Sequence, residues 1–222
     1  GSATEGTDYG TISDITISSG DTTGTASFTP TDDNLYETST DETATVSITG
    51  VSGGSATESG SQFVTLTIEE NESAPTVTLS TSATSIDENS GSVLTLTATL
   101  SVATTADVTV TIATSGSATE GTDYTDGSGN IDDLVITAGN TTETISFKPT
   151  DDSVYEGDET ATVSISGVSG GEATESGTQA VSITISENES APTVALTVSA
   201  SSITENSGST LTLTATSSIE AD

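Results

Sequence analysis

Pro149-Thr150-Asp151-Asp152-Ser153-Val154-Tyr155-Glu156-Gly157-Asp158-Glu159 places five acidic side chains in one short loop between two runs of alternating apolar and polar residues. Carboxylates about 4 Å apart repel by roughly 4 kcal/mol per pair at an effective dielectric near 20, so a fold that converges them requires a counter-charge. The chain offers almost none of its own, since Lys148 is its only basic side chain and it has no histidine. The stretch is that of a cation site.

The same stretch occurs earlier as Pro30-Thr31-Asp32-Asp33-Asn34-Leu35-Tyr36-Glu37, followed after a two-residue insertion by Asp41-Glu42. Asp32 and Asp151 are 119 residues apart, Asp8 and Asp123 are 115 apart, and Glu88 and Glu205 are 117 apart. A drifting offset means fixed strands joined by loops of different length, that is, a repeat array. Pro75 and Pro192 stand at the same place in successive copies, where proline tolerates only an edge or a junction. Residues 1–74 are therefore expected to be an incomplete repeat lacking its first strands, 75–191 a complete repeat, and 192–222 the first strands of a further one.

An acidic chain with only 3% aromatics also fits disorder. Alternation argues against it. Ala161-Thr-Val163-Ser-Ile165, Val181-Ser-Ile183-Thr-Ile185, Val108-Thr-Val110-Thr-Ile112 and Leu94-Thr-Leu96-Thr-Ala98-Thr-Leu100 all carry apolar residues at period two, the pattern of a half-buried strand. The complete repeat reads as seven strands, near 76–80, 92–100, 107–114, 131–137, 143–148, 159–166 and 179–186, with turns spaced as in an all-β sandwich. In the first copy strands are expected near Ile15–Ile17, Thr25–Phe28, Ala44–Ile48 and Phe63–Ile68.

The formal net charge of −33 argues against nucleic acid or an anionic membrane as partner, since both need basic patches. Cysteine and methionine are absent, so there is no disulfide framework, and no apolar run is long enough to insert in a bilayer. Catalysis is not expected: the chain has no His or Cys, no phosphate-cradling glycine loop and no serine beside a plausible base. Paired carboxylates can hydrolyse glycosides at fixed separation, but here they crowd one repeated loop without an aromatic sugar platform.

The repeat resembles the Calx-beta domain. The carriers are Ile86-Asp-Glu88-Asn-Ser-Gly91, Gly116-Ser-Ala118-Thr-Glu-Gly-Thr-Asp123-Tyr124, the acids Asp151, Asp152, Glu156 and Glu159, and the closing segment Glu187-Asn188-Glu189. The resemblance runs the length of the chain and implies tandem seven-stranded immunoglobulin-like Greek-key β-sandwiches, with Ca2+ held by loops at one end, next to the following domain. Carried over by motif, the ligands of the complete repeat would be Glu88, Asp123, Asp151, Asp152, Glu156 and Glu159. The first copy would offer Asp8, Asp32, Asp33, Glu37 and Glu42, and Glu205 would begin an equivalent site in the third. The family's closing segment is usually rich in Asp, whereas this chain has Glu70 and Glu72 in one copy and Glu187 and Glu189 in the next; these are carried as secondary candidates. The resemblance further implies a calcium-stiffened segment of a bacterial extracellular, cell-surface fibre or giant adhesin. Its partners would be adjacent repeats of the same chain or neighbouring copies, and a host or surface ligand.

Two other expectations stand beside this one. Residues 192–222 of one copy could complete residues 1–74 of the next, making the chain a filament subunit. The threonine rows Thr95-Leu-Thr97-Ala-Thr99 and Thr210-Leu-Thr212-Leu-Thr214-Ala-Thr216 could face ice or sugar, although threonine is also a good strand former on a wet face. Tyr9, Tyr36, Tyr124 and Tyr155 are expected to pack on the sandwich rim. Three N-glycosylation patterns, at Asn71, Asn140 and Asn188, are weak signals in so Ser/Thr-rich a chain.

Overall fold

The computed structural model describes residues 1–37 and 40–221. Alternation in the second copy produces two five-stranded sheets. One runs in the order Thr174–Glu175, Thr76–Thr81, Leu94–Leu100, Thr142–Pro149, Tyr124–Thr125; the other in the order Leu134–Ile136, Val108–Gly116, Glu159–Ser169, Ala180–Ser186, Ser85–Asp87. All seven expected strands are present, and the molecule is an all-β sandwich.

Between the sheets lies an aliphatic core. Val77, Leu96, Ala98, Val108, Val110, Ala161, Val163 and Ile183 are fully enclosed, and Phe147 stacks on Tyr124 with ring centroids 4.6 Å apart. The first copy repeats that stack between Tyr9 and Phe28 at 4.8 Å. Tyr9 and Tyr124 are thus buried packing groups.

A short strand absent from the sequence reading positions the acidic end. After Thr76–Thr81 pairs antiparallel with Leu94–Leu100, the chain crosses to the other sheet. There Ser85–Asp87 lies parallel to Thr184–Ser186, with Ile86 opposite Ile185 and Asp87 opposite Ser186. A 3-10 turn over Glu88–Ser90 follows, ended by Gly91 in the left-handed region at φ 64°. Glu88 is thereby delivered beside the segment that follows Ser186.

Among the described residues of the first copy, Glu42–Ser47 and Phe63–Ile68 are the only strands that pair with each other. Ile15–Ile17 and Thr25–Phe28 are not strands, contrary to expectation, and Ile15 and Ile17 are exposed. Their counterparts Leu134–Ile136 and Thr142–Pro149 pair with Val108–Gly116 and Leu94–Leu100, and residues 1–74 contain no equivalent of either partner. Period-two sequence without a neighbour has no ladder to join. The third copy gives one hairpin, Val194–Val198 with Leu213–Ser217. Val194, Leu196 and Leu213 are 73%, 71% and 68% exposed there, whereas their counterparts Val77, Leu79 and Leu96 are core residues.

In the second copy Val108–Gly116 occupies an interior position between Leu134–Ile136 and Glu159–Ser169.

Successive copies are joined by short parallel pairings. Leu35–Tyr36 of the first copy pairs with Ala103–Thr104 of the second, and Val154–Tyr155 of the second pairs with Glu220–Ala221 of the third. The acidic loop of each copy is thus stitched to the next.

Where Val108–Gly116 meets Glu159–Ser169, Gly116 has φ 130° and a Cβ would overlap the Thr160 carbonyl. Gly1 meets Thr43 in the same way. Gly116→Ala is expected to lower the unfolding free energy by about 1–3 kcal/mol, through strain and the displaced strand end. Urea denaturation of the full chain measures it, with Gly129→Ala, an open loop position, as the near-neutral control.

Candidate metal centre

Four segments converge at one end of the second copy: the Glu88–Ser90 turn, the loop holding Asp123, the Thr150–Asp158 loop with the strand start at Glu159, and Glu187–Glu189. Backbone bonds fix them. Thr150 N–H donates to the Asp123 carbonyl at 2.9 Å, and Pro149 lies opposite Tyr124. Glu187 N–H donates to an Asp158 carboxylate oxygen at 3.0 Å.

Carboxylate oxygens of Asp123, Glu156 and Glu159 lie within 4.8 Å of one another, and so do those of Glu88, Glu187 and Glu189. Glu88, Asp123, Thr150, Glu156, Glu159 and Glu187 line one shared cavity of about 10 Å³, roughly the space of a single water or ion. In the first copy Asp8, Glu37 and Glu42 form a third cluster at the positions of Asp123, Glu156 and Glu159. There the space is a wide cleft of about 490 Å³ lined by Phe28, Leu66, Ile68 and the acids. The equivalent of Ser85–Glu88, which closes the second copy, is absent from residues 1–74.

The remaining candidates fall outside the clusters. Asp152 accepts from Val154 N–H at 2.7 Å, and Asp33 accepts from Leu35 N–H at 2.8 Å, so each caps its own turn. Asp151 contributes charge near Glu189, and Asp32 accepts from the Asn71 side chain at 3.1 Å. Glu205 is exposed and belongs to no cluster among the described residues.

The closing glutamates, secondary by sequence, are central by geometry. Glu187 Oε2 accepts from Glu156 N–H at 2.6 Å and Gly157 N–H at 2.9 Å. Glu70 repeats the arrangement, accepting from Glu37 N–H at 2.9 Å. The common signal was the Glu-Asn-Glu spacing itself, shared by both closing segments.

Electrostatic strain follows directly. Burial pushes the Glu88 carboxyl up to about 7, against the Asp152 N–H donor (3.2 Å) and with the charges of Glu187, Glu189 and Asp152. Burial also raises Glu187, but N–H donors from Glu189, Glu156 and Gly157 outweigh it and bring that carboxyl down to about 2. Glu189 is raised by its hydrogen bond to Glu187 and by burial, as Glu72 is by Glu70. Burial and Asp8 raise Glu42. Among the described residues, Glu42 Oε2 and Glu189 Oε2 are buried without a hydrogen-bond partner. Oxygen-only clusters with orphaned carboxylate atoms have the donor chemistry of a hard divalent cation.

A repeated β-sandwich with carboxylates gathered at one end is the form of a tandem β-sandwich module with a candidate cation site. The Calx-beta domain model matches residues 1–69 and again residues 70–189, and the chain belongs to that family. A comparison with curated proteins finds no match. Among solved structures, the apo-form Calx CBD1 domain is similar at 19% identity and a TM-score of 0.42, covering 51% of this chain and 99% of that one. CBD12 from CALX1.2 is similar at 20% identity and a TM-score of 0.39, covering 46% of this chain; this chain spans 40% of that one.

Glu88 and Glu187 have opposite effects on stability with pH. A carboxyl raised by folding stabilises fully below its unfolded value near 4.5, and that contribution is lost as pH rises through about 7. The Glu187 contribution is present above 4.5 and lost as pH falls through about 2. In chelator, melting temperature is expected to fall between pH 5 and pH 8 and also to fall below pH 4. Glu88→Gln should flatten the upper limb, and calorimetry across pH checks both limbs.

Proposed function

We propose that this chain is a non-enzymatic, calcium-binding structural segment of an extracellular cell-surface fibre or giant adhesin, in which calcium rigidifies the junctions between repeats. The proposed division is an incomplete repeat over 1–74, a complete one over 75–191 and the first strands of a further repeat over 192–222. Asp123, Glu156 and Glu159 form one subsite, and Glu88, Glu187 and Glu189 the adjoining one, with Asp151 at its edge. Asp8, Glu37 and Glu42, bordered by Glu70 and Glu72, form the site of the first copy.

The observation that carries this reading is the pair of buried, partnerless oxygens, Glu42 Oε2 and Glu189 Oε2, each within its own carboxylate cluster. Their positions differ within the repeat, so two kinds of place lack a positive partner. Calcium accepts six to eight oxygens in flexible geometry, whereas magnesium demands a tight octahedron and gives up its waters reluctantly. Convergent glutamates of unequal reach suit the former. No helix among the described residues is long and apolar enough to cross a membrane, and an external location is proposed from the family and the acidic composition.

Binding to the folded state alone adds about 2.7 kcal/mol at a hundredfold excess over Kd. Millimolar calcium is therefore expected to raise the melting temperature on the order of 10 °C and to extend the particle in small-angle scattering. Magnesium should do less, and the pair Glu156→Gln and Glu159→Gln should remove most of the gain. Equal melting in calcium and in chelator would take the metal out of the function.

A second reading rests on register. Thr78, Thr99 and Thr142 form one row across three strands, and Ser80, Thr97 and Thr144 the next. This is an ordered hydroxyl face suited to ice or a polysaccharide. If it binds, Thr97→Lys should abolish retention on ice or immobilised glycan; identical retention of the variant excludes the face.

A further inference from the structure

Tyr36 lies in the acidic loop of the first copy, yet it is buried, 2% exposed, and its hydroxyl donates to Glu172 Oε2 of the second copy at 2.6 Å. The contact spans 136 residues of sequence. Around it, Thr105 N–H donates to the Tyr36 carbonyl at 3.2 Å, and the Thr105 hydroxyl donates to the Glu37 carbonyl at 3.2 Å. Thr104, opposite Tyr36 in the parallel pairing, is 1% exposed. The receiving lip is therefore Ala103–Thr105 together with the Gly171–Glu172 turn.

Two features indicate a built joint. The pairing recurs one repeat later in the same register, Val154 opposite Glu220 and Tyr155 opposite Ala221, although the third copy contributes little more than a hairpin. Glu172 also sits in the left-handed region at φ 51°. Ser55 takes the same conformation at φ 57°, so the conformation belongs to the turn and the carboxylate is what the second copy adds.

We propose that the lip of each repeat is a docking surface for the tyrosine of the preceding repeat's Asp-Asp-x-aliphatic-Tyr-Glu loop, and that Tyr36 and Glu172 latch the relative orientation of the first two copies without a cation. The chemistry separates the latch from the acidic clusters. Its contacts include backbone pairing, a threonine hydroxyl on a carbonyl and a phenol on a carboxylate, and Glu172 is in none of the clusters among the described residues. Among the described residues only Glu37 belongs to both, with its carbonyl in the joint and its carboxylate in the first-copy cluster. A cation there would tighten a joint that already has its register. Tyr36 acts as a positioning residue, independent of whether calcium is the natural ion.

The chain has no cysteine, so Thr45→Cys and Thr142→Cys, both at exposed strand positions, give two clean spin-label sites on either side of the joint. Double electron–electron resonance on the full chain reports the inter-repeat distance distribution in chelator and in millimolar calcium. A narrow distribution is expected in both, broadening about twofold or more in both for Tyr36→Phe and Glu172→Ala. Glu172→Gln, which keeps the acceptor oxygen, should stay narrow. The proposal is overturned if Tyr36→Phe and Glu172→Ala match the parent chain, or if the parent in chelator is already as broad as the variants. A parent chain that stays narrow but melts identically with and without calcium supports the latch and defeats only the calcium reading.

Discussion

The acidic end depends on one small parallel pairing, Ser85–Asp87 against Thr184–Ser186. Its two facing isoleucines, Ile86 and Ile185, close the core at the edge of the sheet, and the residues two places further on, Glu88 and Glu187, are carried together as a result. Hydrophobic burial and backbone pairing thus perform electrostatic work, forcing together groups that repel. Side-chain oxygens collected this way have few alternatives: a backbone N–H where one is within reach, a shared proton, or a cation. Glu187 takes the first, Glu88 is pushed toward the second, and Glu189 Oε2 is buried without a hydrogen-bond partner.

Most of the architecture was legible because it is local and repeated. Leu94–Leu100 and Glu159–Ser169 announce themselves by period-two alternation, and the recurring Asp-Asp-x-aliphatic-Tyr-Glu loop points to the cation chemistry at once. Ser85–Asp87 was not legible, since three residues carry no period and its partner lies about a hundred residues away. Ile15–Ile17 shows the opposite failure: the pattern is there, but strand formation needs a neighbour that residues 1–74 do not contain.

The same division applies to the site. Residue type and repetition picked out Asp123, Glu156, Glu159, Asp8, Glu37 and Glu42, which the fold does bring together. Sequence could not say that Asp152 and Asp33 would turn back on their own amides, because an Asx turn and a ligand use the same oxygen. Nor could it rank Glu187, whose importance lies in receiving two backbone donors from the opposing loop. Tyr36 was expected on the rim of its own sandwich; its burial comes from the next copy, a neighbour invisible to any reading of a single repeat.

Lys148, the one basic side chain, lies in Thr142–Pro149 opposite Thr125, and the residue after it is the buried Pro149. Digestive and host-defence proteases of the trypsin type cut after lysine or arginine and are blocked by a following proline. The described chain therefore presents such enzymes with a single recognition residue, held in a ladder and followed by the one residue that prevents cleavage. The near-absence of positive charge that leaves the acidic loops without an internal counter-charge also leaves trypsin-type peptidases almost nowhere to cut.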